Sequence, residues 1–239
     1  MAHRLNNLKL MLKSLFYQGN WNYENMQGTG FNYLLNYVNK MLGLNIDRCV
    51  LRKSSGYFNT NPYLITFMLG IWCKEYRKKS DTDYVKRIYA PALAALGDRF
   101  FWHTLKPLSF LISAFVCFYS PILAFIIYLT FFNSFHLFFL YKGYDIGFYY
   151  GRNTINWFNR IRFSKWSVYA EYLMLFLIGI LLARVCRIYI DGVNISIISI
   201  LMAIFLITIL VVKKLPVVLT LFIFTALILI NIIVMEFLK

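Results

Sequence analysis

The side chains with the greatest capacity for polar chemistry stand in one short stretch, FYQGNWNYENMQGTGF at residues 16–31. It combines Trp21, Glu24, several asparagines and three glycines within an otherwise apolar chain. Polar side chains on glycine-broken backbone near a bilayer usually line a substrate path, because hydrocarbon cannot satisfy their hydrogen bonds. The alternative is structural, with Trp21 at a membrane interface and Glu24 capping a helix or pairing with a lysine.

Composition assigns the rest of the chain to a membrane. Of its 239 residues, 60% are hydrophobic and only 15% are charged, which is not typical of a soluble domain. No Asp, Glu, Lys or Arg occurs from 107 to 141. A single helix of that length would run to roughly 50 Å against a hydrocarbon core of about 30 Å. We therefore expect the chain to reverse, most simply at Ser120-Pro121.

The apolar pattern predicts an all-α integral membrane protein with about four to five transmembrane helices in its C-terminal half. The predicted spans are 105–119, 121–141, 166–183, 193–212 and 215–235. Lys213-Lys214 separates the last two as a tight hairpin, and Glu171 in the third C-terminal span should face protein rather than lipid. This pattern divides the chain into a polar half, residues 1–104, and a transmembrane half, residues 105–239.

The net charge of +15 is explained by topology. With these spans, 22 of the Lys and Arg residues fall on one side of the membrane and 3 on the other. Cytoplasmic loops carry an excess of basic residues, so the N-terminus is predicted inside and the C-terminus outside. A nucleic-acid partner is then unnecessary.

The polar half is predicted to contain interfacial and re-entrant helices. One apolar arc at helical spacing contains Leu5, Leu8, Leu12, Leu15 and Phe16. This arc, flanked by basic residues, is typical of a helix that lies on a membrane or docks on a partner. Residues 62–72 are too few to span and too apolar for water, which predicts a re-entrant segment or a helix buried against protein.

No metal site or disulfide framework is indicated by the cysteines. Cys49, Cys73, Cys117 and Cys186 lie far apart, with no CxxC pair among them. They are most simply small packing residues. No cofactor is predicted.

Four ordered segments carry a specific resemblance. They are FYQGNWNYENMQGTGFNYLL (block 1), YFNTNPYL (block 2), APALAALGDRFFWHTLKPL (block 3) and FNSFHLFFLYKGYDIGFYYGRN (block 4). In their order and approximate spacing they resemble the IID membrane subunit of the mannose/fructose/sorbose family of the bacterial sugar phosphotransferase system. Weaker similarity continues to the Lys-Lys hairpin, so the resemblance covers nearly the whole chain.

This resemblance implies a non-catalytic permease subunit of the bacterial inner membrane. Such a subunit pairs with a IIC subunit in a trimer of heterodimers and moves a mannose-type hexose by an elevator-like displacement. Phosphate then comes from a cytoplasmic IIB protein, which IIA phosphorylates.

The resemblance also assigns roles to particular positions. The implied substrate-binding residues are Trp21, Asn22, Glu24, Gln27 and Asn59. The implied structural positions are Thr60, Pro62, Gly97, Asp98, Trp102, Thr104 and Pro107. By itself, Asn61 before proline fits a turn or helix cap. Asp98 could cap the helix that follows it or hold the helical ends that face the translocation path, and we expect capping.

Departures from the family pattern leave alternatives open. The glycines that the family has before Gly-Asp are absent from APALAA at residues 90–95, His103 stands in FWHT, and Lys106 replaces an arginine before proline. A transport-inactive scaffold or docking paralogue is one alternative. An integral-membrane enzyme is another, with His103 or His136 as the phosphoryl-accepting group, but packing or a helix-to-helix hydrogen bond better suits both histidines.

Overall fold

The computed structural model describes residues 2–190, and all regular elements within that range are helical. The predicted all-α class is therefore confirmed for this part of the chain. The predicted spans 193–212 and 215–235, with the Lys213-Lys214 hairpin, lie outside the described residues.

The described elements follow one another with short connections. The helices are α1 (Ala2–Ser14), α2 (Gly28–Leu42), α3 (Arg48–Ser54), α4 (Ile65–Arg77), α5 (Thr82–Gly97), α6 (Lys106–Cys117), α7 (Pro121–Tyr150), α8 (Thr154–Arg160) and α9 (Phe163–Ile190). Single 3-10 turns, Pro62–Leu64 and Gly151–Asn153, precede α4 and α8, and a π-helical segment, Asp98–Leu105, joins α5 to α6. Among the described residues, those up to Leu181 form one compact unit, called the first unit.

Helix α4 is the centre of the first unit. From Ile65 to Cys73 every residue is buried, including Trp72 at the end of the apolar run. Of the two alternatives expected for residues 62–72, the structure shows a helix buried against protein. Whether it also enters the membrane stays a prediction.

Helices α4 and α7 approach so closely that three glycines stand at their contact. A Cβ atom added to Gly70 would lie 2.3 Å from the carbonyl oxygen of Tyr144, and one added to Gly147 would lie 2.3 Å from that of Phe67. A Cβ on Gly143 would also overlap neighbouring side chains of α4. Small residues four apart on a helix allow this close backbone packing.

The predicted span 105–119 is corrected by the structure. Helix α6 has only 12 residues, and about 18 Å of helix is shorter than a hydrocarbon core of about 30 Å. It is the end of a continuous helical run, Thr82–Cys117, which is long and apolar enough to cross a membrane. The boundary at 104/105 lies inside this run, and the division into two halves stays a prediction.

The reversal at Ser120-Pro121 is confirmed. Ser120 caps α7 by accepting a hydrogen bond from the Leu123 backbone N–H, and Pro121 occupies the first helical position. Helix α7 then continues to Tyr150, nine residues beyond the predicted end of its span. The helices between Pro121 and Leu182 also contain an apolar segment long enough to cross a membrane.

Helix α1 packs on the rest of the first unit through the face that carries Asn7 and Leu10. Leu10 is buried, and the Asn7 side chain donates a 2.6 Å hydrogen bond to Asp145 on α7. The exposed large side chains of this helix and the turn after it include Leu8, Leu12, Leu15 and Phe16. These four residues of the predicted arc are thus exposed, and the contact of the arc with a membrane or partner stays a prediction.

Glu171 on α9 faces another part of the protein, as predicted. Its carboxylate lies 4.0 Å from the Arg99 guanidinium, and both side chains are about half exposed. This pair connects α9 to the π-helical segment.

Candidate functional site

Gln27 joins block 1 to block 2. Its side-chain oxygen accepts hydrogen bonds from the Tyr17 hydroxyl and from the Thr60 backbone N–H, the latter at 2.8 Å. The Gln27 backbone N–H donates to the carbonyl oxygen of Phe58 at 2.8 Å. Burial raises the pKa of the Tyr17 hydroxyl, so it stays protonated and able to donate. Gln27 is buried and held from three directions, which makes it a joint between loops.

Block 2 is tied to block 3 by two further hydrogen bonds. The Thr60 hydroxyl donates to the carbonyl oxygen of Ala90 at 2.9 Å, and the Asn61 amide donates to Asp98 Oδ1 at 2.8 Å. The three blocks, separate along the chain, therefore meet in one region of the fold.

The expected capping role of Asp98 is wrong. Asp98 has ordinary right-handed helical dihedral angles inside the continuous run, and its carboxylate holds Asn61 instead. A Cβ on the preceding Gly97 would lie 2.4 Å from the Cβ of Asn61, so only glycine permits this approach. A partner 37 residues away, which spacing did not reveal, decides the role of this carboxylate.

Asn61 and Pro62 have the structural roles expected of them. The Asn61 side-chain oxygen accepts a 3.0 Å hydrogen bond from the Tyr63 backbone N–H, and Pro62 opens the 3-10 turn before α4. Asn61 thus uses its oxygen as a cap and its amide group to hold Asp98.

The remaining candidates of block 1 form an exposed turn. Asn22 accepts hydrogen bonds from the backbone N–H groups of Glu24 and Asn25, each at 3.0 Å. The Trp21 ring is 44% exposed and meets the Tyr23 ring edge-on. Glu24 is exposed, and its carboxylate forms no ion pair among the described residues. Asn22 therefore shapes the turn, while Trp21 and Glu24 are accessible to a ligand.

Asn59 lies elsewhere, in an open cleft of about 670 Å³ beside α5. The cleft is lined by Lys53, Gly56, Tyr57, Phe58, Asn59, Asp81, Asp83, Lys86, Arg87, Ala90, Pro91 and Ala94. None of the exposed block 1 candidates lines it. The structure thus separates the five candidates into a turn, a buried joint and a cleft, and their contact with a sugar stays a prediction.

The π-helical segment presents the other motif positions of block 3. The Thr104 hydroxyl bonds back to the carbonyl oxygen of Arg99, five residues earlier, at 2.8 Å. Trp102 is part-exposed beneath the Lys106 ammonium, 5.0 Å from its ring centroid.

The two histidines have different environments. His136 packs edge-on against Tyr63, with ring centroids 4.4 Å apart, so the packing role expected for it is confirmed. His103 is exposed on the π-helical segment. Among residues 2–190, no group of three or more His, Cys, Asp or Glu side chains is placed to hold a metal ion.

The sequence analysis missed a buried ion pair. The Glu75 carboxylate is 2% exposed and lies 2.7 Å from Arg152 Nε and 3.4 Å from Lys78 Nζ. It ties α4 to the connection between α7 and α8. The sequence feature that could have predicted this pair is Glu75 itself, a carboxylate at the end of an apolar helix, because burial of a charge requires a partner.

This fold is shared with solved membrane proteins. One structure, described as "Structure of membrane protein", matches with a TM-score of 0.67 and 21% identity over 95% of this chain and 94% of that chain. The cryo-EM structure of the mannose transporter ManYZ with microcin E492 matches with a TM-score of 0.55 and 21% identity over the same shares. The chain therefore has an all-helical fold that also occurs in a membrane transporter.

A family model for the PTS system mannose/fructose/sorbose family IID component matches residues 3–236. The chain belongs to this family, and the resemblance found in its motif blocks is confirmed.

Curated relatives agree with the family match. The mannose-specific EIID component of Escherichia coli (strain K12) is 24% identical over 73% of this chain and 66% of its own length. The sorbose-specific EIID component of Klebsiella pneumoniae is 23% identical over 74% of this chain and 68% of its own length. The fructose permease IID component of Bacillus subtilis (strain 168) is 23% identical over 73% of this chain and 67% of its own length. The matched part thus spans about two thirds of each relative.

Proposed function

We propose that this chain is a membrane subunit of a sugar phosphotransferase transporter, which binds and translocates a hexose together with a IIC subunit. Phosphoryl transfer takes place on IIA and IIB proteins at the cytoplasmic side, and this chain contributes no covalent step. The relatives named for mannose, sorbose and fructose support a hexose as the substrate.

The connection of blocks 1 and 2 through Gln27 is the observation that supports this proposal. The side-chain oxygen of Gln27 accepts the N–H of Thr60, the residue after Asn59. The turn with Trp21 and Glu24 directly precedes Gln27. A rigid joint of this kind fixes exposed polar side chains relative to one another, as a binding site requires. Aromatic, amide and carboxylate groups are suited to a sugar's apolar face and hydroxyls.

The proposed assembly is a trimer of IIC–IID heterodimers in the inner membrane of a bacterial cell. Apolar side chains on the outside of α7 and α9 are suited to lipid and to the IIC partner. The N-terminus is cytoplasmic in this proposal, which follows from the 22 to 3 distribution of basic residues across the predicted spans.

Sugar uptake in cells that carry this chain and its IIC partner tests the site. We expect Glu24→Gln with Asn59→Ala to lower uptake by at least about tenfold, because the first removes the carboxylate charge and the second removes an amide that binds the sugar. Asn156→Ala, an exposed residue of α8, is the matched control and should leave uptake unchanged. Full uptake by the double variant, at equal membrane levels, would remove the sugar-contact role.

A transport-inactive scaffold is the second candidate, because several polar side chains of the motif blocks have structural roles within the chain. Gln27, Asn61 and Asp98 are engaged in hydrogen bonds within the chain, and Ala90 stands where the family pattern has glycine. A scaffold would co-purify with IIC yet give no uptake in the unmodified chain. An enzyme would instead show activity without IIB that His103→Ala abolishes.

A further inference from the structure

We propose that the cleft beside α5 binds a hexose phosphate, with the phosphate held by its basic side chains and the sugar hydroxyls by its amide and carboxylate groups. This inference rests on the proposed function, which makes a phosphorylated hexose the product formed at the cytoplasmic side. It assigns a product site to this subunit, at a location separate from the exposed turn of block 1.

The basic wall consists of Lys53, Lys86 and Arg87, all of which line the cleft. Within the described part of the chain, neither Lys53 nor Arg87 forms an ion pair. Asp81 and Asp83 also line the cleft, and Asp81 accepts the backbone N–H groups at the start of α5. The three basic side chains exceed the two carboxylates by one charge, which favours an anionic ligand, and Lys and Arg are the usual partners of phosphate.

Lys86 gives this wall a fixed, buried charge. Its side chain is only 8% exposed, and its ammonium donates to the carbonyl oxygens of Ser54 at 2.8 Å and Gly56 at 3.2 Å. The rings of Phe31 and Phe58 lie 5.7 and 5.4 Å from the nitrogen. An ammonium has three N–H donors, so one is left for a ligand in the cleft that Lys86 lines.

The cleft also carries groups that are suited to a polyol. Asn59 and Asp83 are exposed and offer amide and carboxylate groups, and the ring of Tyr57 offers a flat apolar face. A volume of about 670 Å³ is larger than inorganic phosphate requires. The combination of charges and hydroxyl-binding groups therefore matches a phosphate monoester of a hexose better than either component alone.

Calorimetric titration of the full chain in nanodiscs with mannose 6-phosphate tests this inference. We expect saturable binding that Lys53→Gln with Arg87→Gln weakens by about tenfold or more, because each removes a charge-assisted hydrogen bond. Arg52→Gln is the matched control: Arg52 is exposed next to Lys53 but does not line the cleft. Both Lys53 and Arg87 are exposed, so these variants should fold normally.

Mannose and inorganic phosphate are titrated in parallel to separate the two parts of the ligand. Each should bind at least about tenfold more weakly than mannose 6-phosphate, since each makes only part of the contacts. Inorganic phosphate that binds as tightly as mannose 6-phosphate would overturn a hexose phosphate site. So would a loss of affinity in Arg52→Gln as large as the loss in the variant with Lys53→Gln and Arg87→Gln. No binding of mannose 6-phosphate would overturn the inference outright.

Uptake of mannose by the unmodified chain is measured in the same strain, with IIC present. Uptake without mannose 6-phosphate binding would overturn only the cleft site and leave the proposed function standing. Mannose 6-phosphate binding without mannose uptake would overturn the proposed transport function and leave the cleft site standing.

Discussion

The side-chain amide of Asn61 lies 2.8 Å from Oδ1 of Asp98, across 37 residues of sequence. This contact fixes the start of α4 against the continuous helical run from α5 to α6. It also occupies two polar groups that would otherwise be available to a ligand. Asn61 and Asp98 are therefore best understood as parts of the framework that supports the candidate site.

Exchanging these two residues should preserve their hydrogen bond. Asn61→Asp alone brings two carboxylates together and should lower the free energy of unfolding by about 1–3 kcal/mol. With Asp98→Asn added, the new amide can donate to the new carboxylate, which still accepts the Tyr63 N–H. Thermal unfolding of the four proteins in detergent measures this coupling. A double variant no more stable than Asn61→Asp would show that the contact is unimportant.

The close approach of α4 and α7 should not tolerate even a methyl group. Gly147→Ala places a Cβ 2.3 Å from the Phe67 carbonyl oxygen, so the helices must separate. We expect a loss of about 1–3 kcal/mol, as for other overpacked interiors, measured by thermal unfolding in detergent.

Gly179→Ala is the matched control for this experiment. Gly179 is in α9, and a Cβ there would meet nothing within 4 Å. Removal of a helical glycine should be neutral or stabilising by up to about 1 kcal/mol. If both alanine variants behave alike, the packing of α4 on α7 does not depend on close backbone contact.

Thiol labelling should distinguish buried from exposed cysteines and test the orientation. Cys73 is fully buried in α4, and burial raises the pKa of its thiol to about 12, so it should not react with a maleimide at neutral pH. Cys49 is exposed at the start of α3 and should react. Cys117→Ser with Cys186→Ser leaves only these two thiols.

A membrane-impermeant maleimide then reports the side on which Cys49 lies. Labelling is expected in inside-out vesicles and not in intact cells, because the N-terminal half is predicted to be cytoplasmic. Cys49→Ser should abolish the signal. Labelling of intact cells would reverse the proposed orientation.

Residue types and their order determined the family, the helical class and the position of the reversal at Ser120-Pro121. These properties depend on composition, on local backbone preference and on motifs that can be compared along the chain. The same information limited residues 62–72 to a re-entrant segment or a helix buried against protein, since an apolar run too short to span has few other stable locations.

Only the tertiary structure decided what the polar residues of the motifs contact. Gln27 meets Thr60 across 33 residues, Asn61 meets Asp98 across 37, and Arg152 meets Glu75 across 77. A sequence shows which side chains can donate, accept or carry charge. The choice between capping a helix and holding a distant loop depends on which partner the packing of helices brings within hydrogen-bond distance.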